Sequence, residues 1–418
     1  MAFGFGTVVA MFCIAALTMP VGIGGGILFT PLLTTAAKLT SKQASALSQI
    51  LITGAATASI LFNVRQQINN PNPEALRIQA HYIYLSLPAL LSGTLAGVYL
   101  GNLLPNILQM LALFLICSYG SFSIYKKAVK SYHDETATLK QKTGNVELQD
   151  PKDLSLFASS SNYPDKVESA TTTSSASVLG NTTAREMTNQ SPPISSTDHT
   201  PIARQLSISG VEVPPVNIRL FLIFIAVFFF GTIFLTLVKG GKSMKSIIGV
   251  SPCGFWFFLI VIIQILLELG VAVYYCPREI RFILESWFIG VITTMTGASP
   301  GILQNPLMMS KGLSPVQSTP ISVITTFLTA STSSLDYLMG GVVPFWMVFL
   351  SGITFAGSIA GMTGITFAIQ KTGRPSVIIF LLAGMAAVAA LTVLISGITG
   401  AFAAIKNGDS PLSFELTC

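Results

Sequence analysis

Charge is scarce in this sequence. Asp, Glu, Lys and Arg make up 10% of its 418 residues and hydrophobic residues 51%, whereas soluble domains carry charge on about a quarter of their residues. That shortage excludes an ordinary water-facing surface. Strand signals are also missing, because the apolar runs do not alternate with period two as the roughly ten-residue segments of a membrane barrel do. The five cysteines, Cys13, Cys117, Cys253, Cys276 and Cys418, show no CxxC or other ligand spacing, so neither a disulfide framework nor a zinc site organises the chain. His81, His133 and His199 form no cluster. A GxxxxGK[ST] phosphate loop is absent, which removes ATP hydrolysis from consideration. An enzyme within the membrane would need paired acids or a His/Glu set at helical spacing, and Glu268, Glu285 and Asp336 occur singly. No catalytic role, metal or cofactor is therefore assigned.

The net charge of +6 does not point to nucleic acid. Ten of the 17 acidic residues fall between Lys127 and Asn217, and elsewhere the basic residues flank apolar runs. That is how helix ends are held at a membrane interface.

What is present is a series of long apolar runs, each able to cross the roughly 30 Å hydrocarbon core as a helix. The expected fold is an all-α integral membrane protein with about ten transmembrane helices. The expected spans cover residues 3–33, 43–63, 80–101, 104–126, 217–238, 253–275, 282–309, 315–337, 343–368 and 375–400. The N-terminal run lacks the basic region of a secretory signal and is expected to be a retained first span. By domain, residues 1–126 are a first transmembrane half, 127–215 a polar loop, 216–280 two linking helices, 281–402 a second half and 403–418 a short polar tail. Residues 151–200 of the loop hold 19 Ser or Thr, which cannot bury enough apolar surface to offset chain entropy, so the loop is expected to be disordered. It carries two glycosylation triplets, at Asn181 and Asn189, usable only on a lumenal face. Lys126, Lys127, Lys130 and Arg219 favour a cytoplasmic face instead, while Lys239, Lys242 and Lys245 weaken the bias.

The two halves echo each other. Gly26-Ile27-Leu28-Phe29-Thr30-Pro31-Leu32 recurs as Gly301-Ile302-Leu303-Gln304-Asn305-Pro306-Leu307. The starts of the following helices match, Leu39–Ala44 with Leu313–Ser318. Further on, Gly93, Gly97 and Gly101 answer Gly352, Gly357 and Gly361. The first span of each half is interrupted, by Pro20, Gly22, Gly24, Gly25, Gly26 and Pro31 in one and by Gly297, Pro300, Gly301 and Pro306 in the other. Proline removes a backbone donor, and glycine costs about 1 kcal/mol against alanine in a helix. Each half therefore opens with a broken span.

Unwound backbone at membrane depth survives only where protein buries it or water lines it, and matching breaks in two halves point to a midplane substrate site. A helix restarting there presents free N–H groups and its positive dipole end to a small anion. The candidate binding residues are Gly24, Gly25, Gly26, Thr30, Pro31, Ser45, Ser48, Gln49 and Asn63 in the first half. Ser299, Pro300, Gly301, Gln304, Asn305, Pro306, Ser318, Thr319 and Ser322 are their counterparts in the second. Apart from Lys126 and Arg219 at span ends, no Lys or Arg lies inside an expected span, so an anion would be held by amides, hydroxyls and helix dipoles. Gly93, Gly97 and Gly101, four apart on one face, are read as helix-packing glycines. Glu268 lies deepest of the intramembrane acids and is the candidate for coupling to protons; Glu285 and Asp336 also fit interface positions.

GIGGGILFTPLL and GASPGILQNPLM, each followed by a helix opening on small residues, resemble the paired signatures of the TauE/SafE sulfite exporter family. The likeness covers about residues 15–65 and 285–400. It implies a secondary transporter, an exporter or permease, that moves sulfite, sulfonate or a related sulfur oxyanion by alternating access. The long insertion and the two linking helices depart from the compact bacterial pattern, and the insertion suits a eukaryotic member. The partners implied are a small anionic solute, the lipid bilayer and protons as coupling ion, in a plasma membrane or endomembrane. An anion channel, or a receptor or scaffold using the 127–215 loop, are the alternatives.

Overall fold

A computed structural model describes residues 4–69, 73–103, single helical positions between 108 and 129, 218–241, 244, 246–251, 254–275, 277–313, 315–372 and 376–406. These belong to one compact unit. The 127–215 loop with Asn181 and Asn189, most of the 104–126 span, and the tail beyond Lys406 lie outside the described residues.

Every regular element among the described residues is helical. In chain order these are α1 (Phe5–Thr18), α2 (Gly26–Ala36), α3 (Ser41–Asn69), α4 (Pro73–Leu103), α5 (Ile218–Lys239), α6 (Phe255–Tyr275), α7 (Ile280–Met295), α8 (Gly301–Ser310), α9 (Pro315–Met339), α10 (Ser351–Thr372) and α11 (Ser376–Lys406), with short 3-10 turns at Pro277–Glu279 and Phe345–Leu350. Among the described residues, six stretches are long and apolar enough to cross a membrane, in α3, α4, α5, α6, the Phe345–Phe367 segment and α11. Apart from 104–126, most of which lies outside the described residues, the remaining expected spans miss that test for visible reasons. The breaks split α1 from α2 and α7 from α8, and α9 carries ten Ser or Thr in 25 residues.

Polarity runs inside out relative to a soluble protein. In α5 and α6 only 22% and 28% of the apolar window is buried, and Phe230, Phe234, Ile262 and Leu266 face outward. Ser48, Ser59, Ser86, Gln304, Ser322 and Thr325 are instead fully or almost fully buried. Lipid is the solvent that makes this arrangement favourable, since an outward Leu loses nothing in hydrocarbon and an inward hydroxyl finds a partner.

Helices outrun the apolar spans read from hydropathy. Helix α3 continues to Asn69, and α4 starts at Pro73 rather than residue 80, because proline is tolerated in a first helical turn and the polar end turns remain helical. His81, expected at the head of its span, lies two turns inside α4 and is half-buried.

Two close glycine crossings hold the bundle. Along α4, Gly93, Gly97 and Gly101 meet the backbone of α7 at Trp287, Val291 and Met295, and a Cβ on Gly97 would lie 2.5 Å from the Val291 carbonyl. The packing role expected for these three glycines is what the structure shows. On α10, Gly357 and Gly361 approach the carbonyls of Phe12 and Ala16 on α1 in the same way. Hydroxyls tie α3 to its neighbours: Ser59 to Ser358 of α10 at 2.7 Å, Thr354 to the Leu51 carbonyl at 2.7 Å, and Thr53 to Ser334 of α9 at 3.2 Å.

Candidate functional site

Each break begins with the same local chemistry. Helix α1 ends in a cap where Gly22 N–H donates to Met19 O and Ile23 N–H to Thr18 O, with Gly22 at φ 73°. Helix α7 ends likewise: Gly297 N–H donates to Thr294 O, Ala298 N–H to Thr293 O, and Gly297 has φ 71°. These are Schellman caps, whose left-handed residue is nearly always glycine because a Cβ would clash. Gly24 and Gly25, at φ 80° and 76°, then turn the chain into α2. Ser299 and Pro300 do the corresponding work before α8.

The breaks are therefore made by glycine, and two expectations about proline are corrected. Pro31 and Pro306 lie inside α2 and α8, and Gly26 and Gly301 are the first residues of those helices. A proline five residues into a helix removes one bond, to the Ile27 or Ile302 carbonyl, without unwinding the turn.

The two breaks meet. A Cβ on Gly26 would lie 2.6 Å from the Gly297 carbonyl oxygen, and Gly301 is packed on the carbonyl of Gly22. Side chains from elsewhere in the chain pin this crossing. Ser48 donates to Gly297 O at 2.8 Å and Gln49 Nε2 to Ala298 O at 3.1 Å. Thr30 donates to Gly26 O at 3.1 Å, with Gly297 O further off at 3.5 Å. In the other direction Asn305 Nδ2 donates to Val21 O at 2.9 Å, Ser299 donates to Ile23 O, and Ser322 donates to Asn305 Oδ1. Gln304 Nε2 reaches Ser86 Oγ on α4 at 3.3 Å while its Oε1 accepts from Thr325 at 2.6 Å. Ser48 and Ser322 each lie seven residues into their helices, α3 and α9, about 10 Å along the axis.

Most of the expected site residues thus come together. Gly24 abuts Ser299, Ser45 packs on Gly297, Thr319 lies against Gly22, and Ser318 is buried one residue earlier on α9. Asn63 does not join them, since it lies 14 residues beyond Gln49 on α3, about 21 Å along that helix. Glu268 sits on α6, which packs on α4.

The polar side chains that gather here mostly brace carbonyls. The donors left over are backbone amides: those of Gly24, Gly25, Gly26 and Ile27, and of Ser299, Gly301 and Ile302, have no hydrogen-bond acceptor among the described residues. All seven residues are buried. One hydroxyl joins them. Thr326 is 1% exposed, its Oγ1 lacks a partner, and its methyl lies 3.2 Å from where a Gly24 Cβ would stand. Thr326 is absent from the residues expected at the site, although its signal was present: Ser322, Thr325, Thr326 and Thr329 follow the spacing of one helix face. Neither break, nor α2 or α8, contains a charged residue.

A buried ion pair stands apart from the crossing. Lys239 Nζ and Asp336 Oδ1 are 2.6 Å apart, with side chains 2% and 6% exposed, and the ammonium lies over the Tyr99 ring at 5.4 Å. Both residues fit interface positions by sequence. Burial follows from tertiary packing, where α5 ends against α9 and Gly241 approaches the Met339 carbonyl.

The model of the family "Sulfite exporter TauE/SafE" matches residues 3–145. The chain is similar over 98% of its length to Arabidopsis thaliana sulfite exporter TauE/SafE family protein 1, at 23% identity and covering 87% of that protein. It is similar to family protein 5 of the same plant at 22% identity, over 89% of this chain and 78% of the relative. Family protein 3 gives 23% identity over 99% and 82%. No solved structure matches the chain significantly. The chain is a multi-pass integral membrane protein, similar to these plant proteins over most of its length.

Proposed function

We propose that this chain is a secondary transporter of small oxyanions, with sulfite, a sulfonate or a related sulfur oxyanion as substrate, working by alternating access around the crossed breaks. One observation carries the proposal: two buried helix N-termini, in segments that hold no charged residue, meet where seven amides lack acceptors among the described residues. Aligned amides and helix dipoles favour a negative solute. With no ammonium or guanidinium to form an ion pair, binding stays weak enough for release. The names of the relatives supply the sulfur oxyanion class.

Two related halves would pivot about this centre. Supporting that picture, α4 crosses α7 through small residues as α10 crosses α1, and α3 packs directly on α9. In each proposed half the short helix after the break lies along the next long one, α2 on α3 and α8 on α9.

The test is uptake of sulfite, sulfate, thiosulfate and taurine by proteoliposomes holding the full chain. Saturable counterflow of at least one sulfur oxyanion is expected, and its loss in Gly25→Leu, since Gly25 has φ 76° and a side chain there would meet Thr18 and Phe29. Currents far above carrier turnover would indicate a channel instead. A receptor or scaffold would lose its function on deletion of residues 131–210, whereas transport is expected to survive it.

A further inference from the structure

We propose that Glu268 on α6 is a proton-binding site, separate from the anion site, through which a proton gradient drives the transport proposed above; the inference rests on that transport. Helix α6 has one inward face. Phe257, Val261, Gln264, Glu268 and Ala272 are its buried residues, spaced by three or four, while Phe255, Trp256, Ile262, Ile263, Leu266 and Leu267 are exposed. Glu268 is on the inward face at 2% exposure.

Its hydrogen bonding is incomplete in a particular way. Gln264 Nε2, one turn earlier, donates to Glu268 Oε1 at 3.0 Å. Glu268 Oε2 and Gln264 Oε1 have no partner. These are two buried acceptors without a donor. An ionised carboxylate is acceptor-only, but a proton on Oε2 converts that oxygen into a donor and removes the charge. A buried ionised carboxylate without cationic or hydrogen-bonding compensation is strongly disfavoured.

The surroundings supply no net positive charge. Tyr99 of α4 meets Phe257 of α6 edge-on, and Trp287 of α7 joins the apolar cluster that holds Leu269 and Ala272 of α6. Lys239 and Asp336 lie within electrostatic reach of Glu268, but they are bonded to each other as a neutral pair. The charges nearer the helix ends are likewise paired, Glu285 with Arg281 at 3.0 Å and Glu279 with Lys311 at 3.6 Å. No group of three His, Cys, Asp or Glu able to cage a metal ion exists among the described residues. The chemistry offered is that of one carboxyl group gaining and losing one proton, with water accepting it when the site opens.

A physical link to the anion site exists. Helix α6 packs on α4, and Ser86 of α4 accepts the hydrogen bond from Gln304 beside the second break. A change in how α6 seats on α4 when Glu268 ionises therefore reaches the residues that brace the crossing.

The experiment uses full-length protein in proteoliposomes with the membrane potential clamped. Uptake of labelled sulfite, sulfate and thiosulfate is measured under an imposed pH gradient, and proton entry is read by an internal dye against protein-free vesicles. One coupled proton sustains about tenfold accumulation per pH unit. Glu268→Gln is expected to keep anion-for-anion counterflow but lose gradient-driven accumulation and the dye signal, and Glu268→Asp to restore both in part. Independently of transport and of how Glu268→Gln folds, infrared titration of the wild type and Glu268→Asp should show a protonated buried carboxyl whose titration shifts between the two. Accumulation that persists in Glu268→Gln, that follows a sodium gradient but not pH, or a carboxyl signal identical in the two proteins overturns the proposal. Wild type without counterflow of any anion refutes transport itself, whereas counterflow indifferent to pH refutes only Glu268's part.

Discussion

Gly26→Ala tests the crossing of the two breaks most directly. The added Cβ would stand 2.6 Å from the Gly297 carbonyl oxygen and 2.6 Å from Ile52 Cδ1. The Ile52 methyl can rotate away, but the carbonyl belongs to the backbone and can only retreat with its segment. Overpacking of this kind costs about 1–3 kcal/mol. The retreat also stretches the bonds that Ser48 and Gln49 make to Gly297 and Ala298, at 2.8 and 3.1 Å, each with a net worth of about 1 kcal/mol. Helix propensity returns at most about 1 kcal/mol, and less at Gly26 because it is the first residue of α2. The expected sum is a loss of about 2–4 kcal/mol, concentrated at the site. Gly364→Ala is the control, since nothing lies within 4 Å of its Cβ position and propensity alone predicts a neutral or slightly stabilising change. Thermal unfolding of the purified proteins followed by tryptophan fluorescence, together with anion counterflow, reads both. A Gly26→Ala protein as stable and active as wild type, or a Gly364→Ala protein equally damaged, would refute the packing described for the crossing.

Other consequences are checked by similar means. Thr326→Val replaces a hydroxyl that has no partner with a methyl of similar size, so thermal stability should hold or rise slightly while anion affinity in counterflow falls severalfold; unchanged affinity would remove Thr326 from the site. Lys239→Met or Asp336→Leu alone strands a buried charge and should cost about 3–5 kcal/mol, while the double variant should recover most of that. A double variant as unstable as the sum of the singles would show that the 2.6 Å pair is not the source of the loss.

The helices and their breaks were legible in the sequence. Gly22 and Gly297 end their helices because a left-handed residue is needed there and glycine adopts it without a Cβ clash; the requirement lies within six residues of chain. The inside-out polarity was legible too, because apolar runs of membrane length leave only lipid as a solvent. Sequence alone also suggested which polar residues gather, since the repeat places Ser48 and Ser322 at matching positions after the breaks.

What tertiary structure alone decided is which of those groups are already used. Ser48 meets the Gly297 carbonyl across 249 residues of chain, and Asn305 meets Val21 across 284, distances over which no local pattern specifies a partner. The same packing left Thr326 without one, paired Lys239 with Asp336 and kept Asn63 away from the crossing. A hydroxyl or amide in a membrane helix advertises a hydrogen bond, but whether that bond closes on backbone or stays open for a solute depends on which carbonyl the folded chain brings within 3 Å.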